Sequence, residues 1–136
     1  MSALKSRRAL QIALGAIAAI PFASGLAGII AGPSALPGRS GEVSPTVDSE
    51  YRFISTYWLA VAPLAWSSLP RVEHRTVVVQ GLLGIAAAGG LARIVSMRRT
   101  GRPHPMMLGA LGIELGVVPA LMVWQAAVAR AARKAG

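Results

Sequence analysis

Four long apolar blocks constrain this chain more than any other feature of its sequence. They cover about residues 9–32, 51–69, 76–97 and 106–129. An α-helix needs about 20 consecutive apolar residues to cross a bilayer. A segment surrounded by lipid must satisfy its own backbone hydrogen bonds, so each block is predicted to be helical. The sequence therefore predicts one all-α domain over residues 1–136, an integral membrane four-helix bundle.

The overall composition agrees with lipid rather than water around these blocks. Of the 136 residues, 54% are hydrophobic and only 14% are charged, whereas about 25% are charged in a typical soluble domain. The chain has no cysteine, which excludes disulfides, thiolate metal sites and cysteine nucleophiles. The two histidines, His74 and His104, lie in different loops without a second ligand at metal spacing. We expect neither a metal nor another cofactor.

The first block has an alternative interpretation as a signal peptide. Basic residues precede it at Lys5, Arg7 and Arg8, and small residues near Ala23 resemble a cleavage site. The apolar core of a signal peptide is about 7–15 residues long, and this block is longer. We therefore expect a retained helix.

The connections between the blocks predict how the helices are arranged. The first, residues 33–50, is long and rich in Pro, Gly and Ser, whereas the other two, 70–75 and 98–105, are short. Short links between consecutive helices make them antiparallel neighbours. The predicted topology is a compact up-down bundle.

The basic residues predict the orientation of this bundle. Four crossings place both termini on one side, where eight of the basic residues fall; the other side has four, Arg39, Arg98, Arg99 and Arg102. Since basic loops stay in the cytoplasm, both termini are predicted to be cytoplasmic. The basic third loop is an exception to this rule. The net charge of +9 is then a topology signal, and no nucleic-acid partner is expected because no basic stripe with aromatic residues accompanies it.

A few charged residues lie within the predicted crossings, where they are rare and often functional. Arg52 begins the second block, Arg93 lies about 7 Å inside the third and Glu114 lies about 12 Å inside the fourth, at 1.5 Å per residue. All three fall in the outer half of the bilayer. Because the third and fourth helices are joined by a short turn there, Arg93 and Glu114 are placed to pair.

Two interpretations of this cluster stay open. One is a structural clasp in which Glu114 neutralises Arg93. The other is a binding site, open to the outer face, for an ion, a headgroup or a small anion, with Ser96 as a further member. Asp48 either balances the excess positive charge or is the N-cap of the second helix.

Glycines spaced four apart form a second pattern. Gly28 and Gly32 lie on the first helix, and Gly112 and Gly116 lie on the fourth. Such faces let helices approach closely in lipid. The pattern predicts helix packing, either within one monomer or against a second copy or another membrane protein.

Several short motifs carry a resemblance to a known family. They are Asp48-Ser49-Glu50-Tyr51-Arg52-Phe53, Gly89-Gly90-Leu91-Ala92-Arg93, Gly101-Arg102-Pro103-His104-Pro105, and Glu114 with Pro119. Between about Arg8 and Gln125 the chain resembles a family of small bacterial four-helix membrane proteins, domain of unknown function 4345, which is loosely similar to the DoxX/DoxD-like group. The resemblance implies a four-helix bundle of the bacterial inner membrane with Arg52, Arg93 and Glu114 as typical polar positions, and no established activity.

Three functions remain in competition. The sequence contains no GxSxG, Walker A or HExxH motif and no pair of intramembrane carboxylates, which favours a non-enzymatic accessory or self-associating bundle. The alternative is a component that binds or transports a small molecule, lipid or anion through the arginine–glutamate cluster. A third is a DoxX-like redox accessory in which Trp58 and Trp66 contact a quinone. The expected partners are the lipid bilayer and a second copy or another membrane protein.

Overall fold

The computed structural model describes residues 3–38 and 41–135. Within these ranges the protein is helical and contains no strand. The helices are α1 (Ala3–Ile17), α2 (Ala19–Ala31), α3 (Pro45–Ser68), α4 (Thr76–Thr100), α5 (Pro105–Gly112) and α6 (Val118–Ala135), with 3-10 turns at Gly32–Ala35 and Leu69–Arg71 and a π-helical turn at Ile113–Val117. They form four helical segments, because α1 and α2 are nearly continuous and α5 and α6 are joined through the π turn.

Three of the four segments are long and apolar enough to cross a membrane: Leu4–Ala35, Thr76–Thr100 and Pro105–Ala135. The predicted second crossing, 51–69, is helical but is not among them. Its helix, α3, begins earlier and includes the polar first turns of the Asp48–Arg52 region. Within 51–68 itself, the Ser, Thr, Tyr and Trp side chains keep the hydropathy below that of the other three segments.

The start of α3 lies six residues before the predicted one because of its cap. Ser44 is the N-cap, and its hydroxyl accepts a hydrogen bond from the Val47 amide at 3.3 Å. Pro45 follows at the first helical position, where its missing N–H has no effect. The prediction that Asp48 caps this helix is wrong, since Asp48 already lies in its first turn.

Two prolines account for the irregularities in the first and fourth segments. Pro21 lacks the N–H that would bond to Ile17, and the helix is interrupted next to that carbonyl, at Ala18. Pro119 likewise cannot bond to the carbonyl of residue 115. There the turn widens, and the Val118 amide donates to the Ile113 carbonyl five residues back.

The closest helix pair is α2 with α3, which approach through glycines of α2. A Cβ on Gly25 would lie 2.5 Å from the backbone nitrogen of Leu59, and one on Gly28 would overlap the Ser55 side chain. Both glycines are buried. Small residues are therefore required for these helices to lie this close together.

The hydrophobic core lies at one end of the bundle, which we call the base. The base contains the start of α1, the end of α6 and the turn over residues 69–75. Buried apolar side chains of α1, this turn, α4 and α6 pack together there: Leu10, Leu14, Val72, Val79, Leu83, Val118, Leu121 and Val128. Burial of such side chains is the main source of stability for the base.

Polar side chains also connect the helices at the base. The fully buried Gln125 side chain donates to the Val72 carbonyl at 2.9 Å and to the Thr76 hydroxyl at 3.0 Å, and it accepts from Gln80 at 2.8 Å. Within the described residues, no buried side-chain nitrogen or oxygen lacks a hydrogen-bond partner. Gln80 and Gln125 thus link helices through side-chain hydrogen bonds within apolar segments.

An ion pair ties α1 to the 69–75 turn. Arg7 Nε lies 2.7 Å from Glu73 Oε2, and the same guanidinium donates to the Pro70 carbonyl. Burial favours a higher pKa for the Glu73 carboxyl, but hydrogen bonds from Arg7 and the backbone, with the charges of Arg7 and His74, outweigh it and lower this pKa below its usual value. The ionised form of Glu73 therefore stabilises the fold.

The helices separate toward the opposite end, which we call the top. α2 stays packed on α3, and α4 stays packed on α6 and the π turn, but the two pairs diverge. At the top, Gly38 of the first loop lies against the His104 side chain of the third loop. A cleft between the two pairs results.

Candidate functional site

The cleft between the helix pairs, which we call the central cleft, has a volume of about 1090 Å³ and is lined by all four helical segments. This volume is slightly above the range of about 300–1,000 Å³ typical of ligand sites. Its walls are mostly apolar, with residues such as Ile17, Trp58, Leu82 and Ile113. It follows α4 from Val79 to Ser96, a rise of about 26 Å at 1.5 Å per residue.

An ion pair forms the polar wall of this cleft. Arg93 Nε lies 2.9 Å from Glu114 Oε2 and 3.1 Å from Oε1, as the sequence predicted from the short α4–α5 connection. Glu114 is 8% exposed, whereas the Arg93 side chain is 40% exposed. The two terminal nitrogens of Arg93 make only one contact to described residues, a long one of 3.5 Å to the Met107 sulfur. Most of its hydrogen-bonding capacity is therefore available to a ligand.

Gly90 brings the two partners of this pair together, a role that the sequence interpretation missed. A Cβ on Gly90 would lie 2.8 Å from Leu115 Cδ2 and 2.9 Å from Glu114 Cβ. The absence of a side chain there lets the π turn approach α4. Helical spacing could have predicted this role. Gly90 lies three residues before Arg93 and therefore on the same face of α4.

A second, smaller cavity adjoins the central cleft at Arg93. This loop pocket, of about 190 Å³, is lined by the end of α4, the 101–103 loop and α5. Its polar residues are Arg93, Ser96, Thr100 and Arg102. The Thr100 hydroxyl donates to the Ser96 carbonyl at 2.9 Å. Arg93 and Ser96 line both cavities, so the charged end of the central cleft adjoins this polar pocket.

Arg52 and Asp48 form a separate pair, away from Arg93 and Glu114. Arg52 Nε lies 2.8 Å from Asp48 Oδ2, and the guanidinium donates to the Ile29 and Ile30 carbonyls at 2.6 and 3.0 Å. These carbonyls end α2, where the helix has no amide partners for them. The predicted cluster of five residues is thus divided, and Arg52 with Asp48 closes the end of α2.

The four predicted packing glycines have three different environments. Gly28 packs within the monomer as described. Gly32 ends α2 with a φ of +61° and lies against the Asp48–Arg52 pair, a conformation that glycine favours. A Cβ on Gly112 or Gly116 would meet no described atom within 4 Å. Packing within the monomer is therefore not the role of these two.

The tryptophans are likewise separated. Trp58 lines the central cleft. The Trp66 indole N–H donates to the Gly15 carbonyl at 3.0 Å and its ring packs on Phe22 with centroids 5.4 Å apart. Only Trp58 is therefore placed to contact a molecule in the cleft. Among residues 3–38 and 41–135, no three His, Cys, Asp or Glu side chains lie together as metal ligands would.

Fold and site together define an all-helical protein with three segments apolar enough to cross a membrane and an interhelical cleft that contains an arginine–glutamate pair. The chain belongs to the family described as domain of unknown function 4345, whose model matches residues 9–125. This match confirms the family predicted from the motifs and includes Arg52, Arg93 and Glu114. No curated protein and no solved structure matches the chain.

Proposed function

We propose that this protein is a four-span membrane protein that binds one lipid-like molecule in its central cleft. The observation that carries the proposal is the cleft itself, a large apolar cavity with one charged pair at its top. A water-soluble metabolite would make few apolar contacts with these walls. An apolar chain with a polar end matches them along their length.

Exposed apolar side chains support insertion of all four segments. Large hydrophobic residues are exposed around the bundle, with Ile30 70% and Val77 87% exposed. On α3 the exposed residues include Phe53 and Ile54, whereas Ser55 is buried. The helix with the lowest hydropathy therefore still turns apolar side chains outward, as lipid contact requires.

In this proposal the base faces the cytoplasm. Eight basic residues lie in the terminal and 69–75 regions, against Arg98, Arg99 and Arg102 at the top. Arg39, in the first loop, lies outside the described residues. The positive-inside rule then orients the chain with both termini cytoplasmic. The charged end of the central cleft falls in the outer half of the bilayer. The cleft, about 26 Å long, continues past the midplane, because one leaflet of the hydrocarbon core is about 15 Å thick.

Single cysteines test this orientation, because the natural chain has none. Glu42→Cys places an exposed thiol in the first loop, and Ala131→Cys places one near the end of α6. A membrane-impermeant maleimide applied to intact cells should label the first and spare the second until the cells are lysed. The reverse pattern would refute the orientation.

Filling the cleft tests the binding function. Gly89 lines the cleft, and Gly81 on the same helix does not; a Cβ on either meets no described atom within 4 Å. Gly89→Phe should therefore block the cleft without disturbing helix packing, with Gly81→Phe as the matched control. Native mass spectrometry of the purified chain should show retained lipid in the wild type and in Gly81→Phe, and none in Gly89→Phe. Equal retention in all three proteins would refute the proposal.

Self-association is a second candidate function, favoured by the open glycine face of the fourth segment. Gly112 and Gly116 are exposed and meet no described atom, so a second copy or another membrane protein can approach the backbone there. Gly112→Leu should then convert a detergent-solubilised dimer to monomer, and Gly81→Leu should leave it intact. A wild type that is monomeric at every concentration in mild detergent would exclude a homodimer.

A further inference from the structure

The loop pocket carries positive charge next to the central cleft. Arg93 and Arg102 line this pocket together with Ser96 and Thr100, and none of its lining residues is acidic. Glu114 neutralises Arg93 from the cleft side through Nε alone. The terminal nitrogens of Arg93 and the whole of Arg102 remain without a carboxylate partner among the described residues. The pocket therefore has one uncompensated positive charge.

The basic residues at the top have a further peculiarity. Arg98, Arg99 and Arg102 lie in or beside the 101–104 loop, the connection that the positive-inside rule places outside the cytoplasm. Basic residues on that side oppose the orientation set by the rest of the chain. Arg98 and Arg99 lie in the last turn of α4, where positive charge stabilises the end of the helix. Arg102 lies beyond the helix and makes no ion pair with a described residue, so neither reason applies to it.

We infer that the molecule in the central cleft is a lipid with a phosphate headgroup, which Arg93 and Arg102 bind in the loop pocket while its chain occupies the cleft. Two guanidinium groups and the Ser96 hydroxyl supply more donors than one carboxylate can accept, and phosphate accepts them with more oxygens. Arg93 lies seven residues before the end of α4, about 10 Å at 1.5 Å per residue. The headgroup then sits near the aqueous surface and the chain extends toward the base.

This inference rests on the proposed lipid-binding function, and one pair of probes separates the two. Phosphatidic acid and the diacylglycerol with the same chains differ only in the phosphate. Native mass spectrometry titrations of the full chain in a nonionic detergent should show that phosphatidic acid binds at least about tenfold more tightly, as expected for charge-assisted hydrogen bonds. Equal binding would overturn the headgroup inference and leave the cleft function standing. Binding of neither would overturn both.

Inorganic phosphate distinguishes a lipid headgroup from a free anion. At millimolar concentration it should not displace bound phosphatidic acid, because it lacks the chain that the cleft holds. Displacement of phosphatidic acid by inorganic phosphate, at the same concentration for short and long acyl chains, would show a free-anion site. That result would overturn the assignment to a lipid.

Arg102→Gln tests the loop pocket without endangering the fold, since Arg102 is exposed and bonds to no described residue. Arg99→Gln is the matched control: it removes the same charge from the same region but does not line the pocket. Arg102→Gln should weaken the binding of phosphatidic acid by up to about fivefold, as expected for the loss of an exposed ion pair. Diacylglycerol should be unaffected by either change. Equal effects of the two variants would overturn the specific role of Arg102.

Variants of the ion pair have opposite expected effects, which a purely structural clasp would not produce. Glu114→Gln frees the Arg93 charge and should strengthen phosphatidic acid binding. Arg93→Gln should weaken it by about tenfold or more, and the double variant Arg93→Gln/Glu114→Gln gives the same test without a buried unpaired carboxylate. Equal weakening of phosphatidic acid and diacylglycerol in all of these variants would identify a structural clasp and overturn the inference.

Discussion

Gly90→Ala is expected to destabilise the protein, although alanine is the better helix former. The new Cβ would lie 2.8 Å from Leu115 Cδ2 and 2.9 Å from Glu114 Cβ, both closer than atoms in contact tolerate. The leucine methyl can move by rotation, but the Glu114 Cβ can move only with the backbone of the π turn. The structure therefore predicts that α4 and the π turn must separate.

The neighbouring residue supplies the control that gives the magnitude. Gly89 belongs to the same helix, and a Cβ there meets no described atom within 4 Å. Gly→Ala adds about 1 kcal/mol of helix propensity at either position. Overpacking at Gly90 alone costs about 1–3 kcal/mol. The two variants should therefore differ by about 1–3 kcal/mol, with Gly89→Ala the more stable.

The assay is reversible unfolding in mixed micelles, with helicity followed by circular dichroism and the free energies of the two variants compared directly. Separation of α4 from the π turn should also lengthen the Arg93–Glu114 pair, so Gly90→Ala should weaken the preference for phosphatidic acid over diacylglycerol. Equal stability of the two variants would refute the close approach at Gly90 and the explanation of how the ion pair forms.

Three further changes test other contacts. Because folding lowers the pKa of Glu73, the ionised carboxylate stabilises the fold fully above the ordinary pKa of 4.5. This stabilisation is lost as the pH falls through the pKa of the folded state. Thermal unfolding between pH 3 and 7 should show the loss in the wild type and not in Glu73→Gln. Gln125→Leu leaves the Val72 carbonyl without its partner and should reduce the free energy of unfolding by about 1–2 kcal/mol, with unchanged stability as the refuting result. Gly25→Ala places a Cβ 2.5 Å from the Leu59 backbone nitrogen and should reduce it by about 2–3 kcal/mol; a variant as stable as the wild type would show that α2 and α3 are not this close.

The local structure was largely predictable because short-range rules decide it. The length of each apolar block predicted a helix, and all four helices are present. The effects of Pro21 and Pro119 also follow from a missing N–H. The start of α3 was missed because the polar turn after Ser44 was assigned to the loop, while the capping serine and Pro45 were the better signal.

The candidate site was predictable only in part. Arg93 and Glu114 lie close to one short connection, so their meeting follows from chain continuity. Arg52 was placed with them because depth along a helix was the only available coordinate. Its partners are instead Asp48, one turn away, and the carbonyls that end α2. The position of Arg52 along its helix does not determine which neighbouring helix its side chain faces.

By itself, the sequence determined four helices, their approximate limits and the few charges that they contain, because helix formation and hydropathy depend on neighbouring residues. The tertiary structure decided which charges meet and where space remains. The base is filled by leucines and valines and closed by Gln125. Toward the top, α2 packs on α3 through Gly25 and Gly28, α4 packs on the π turn through Gly90, and space remains between the two pairs. The central cleft is the consequence of this uneven packing, which depends on side chains distant in sequence that only the folded chain brings together.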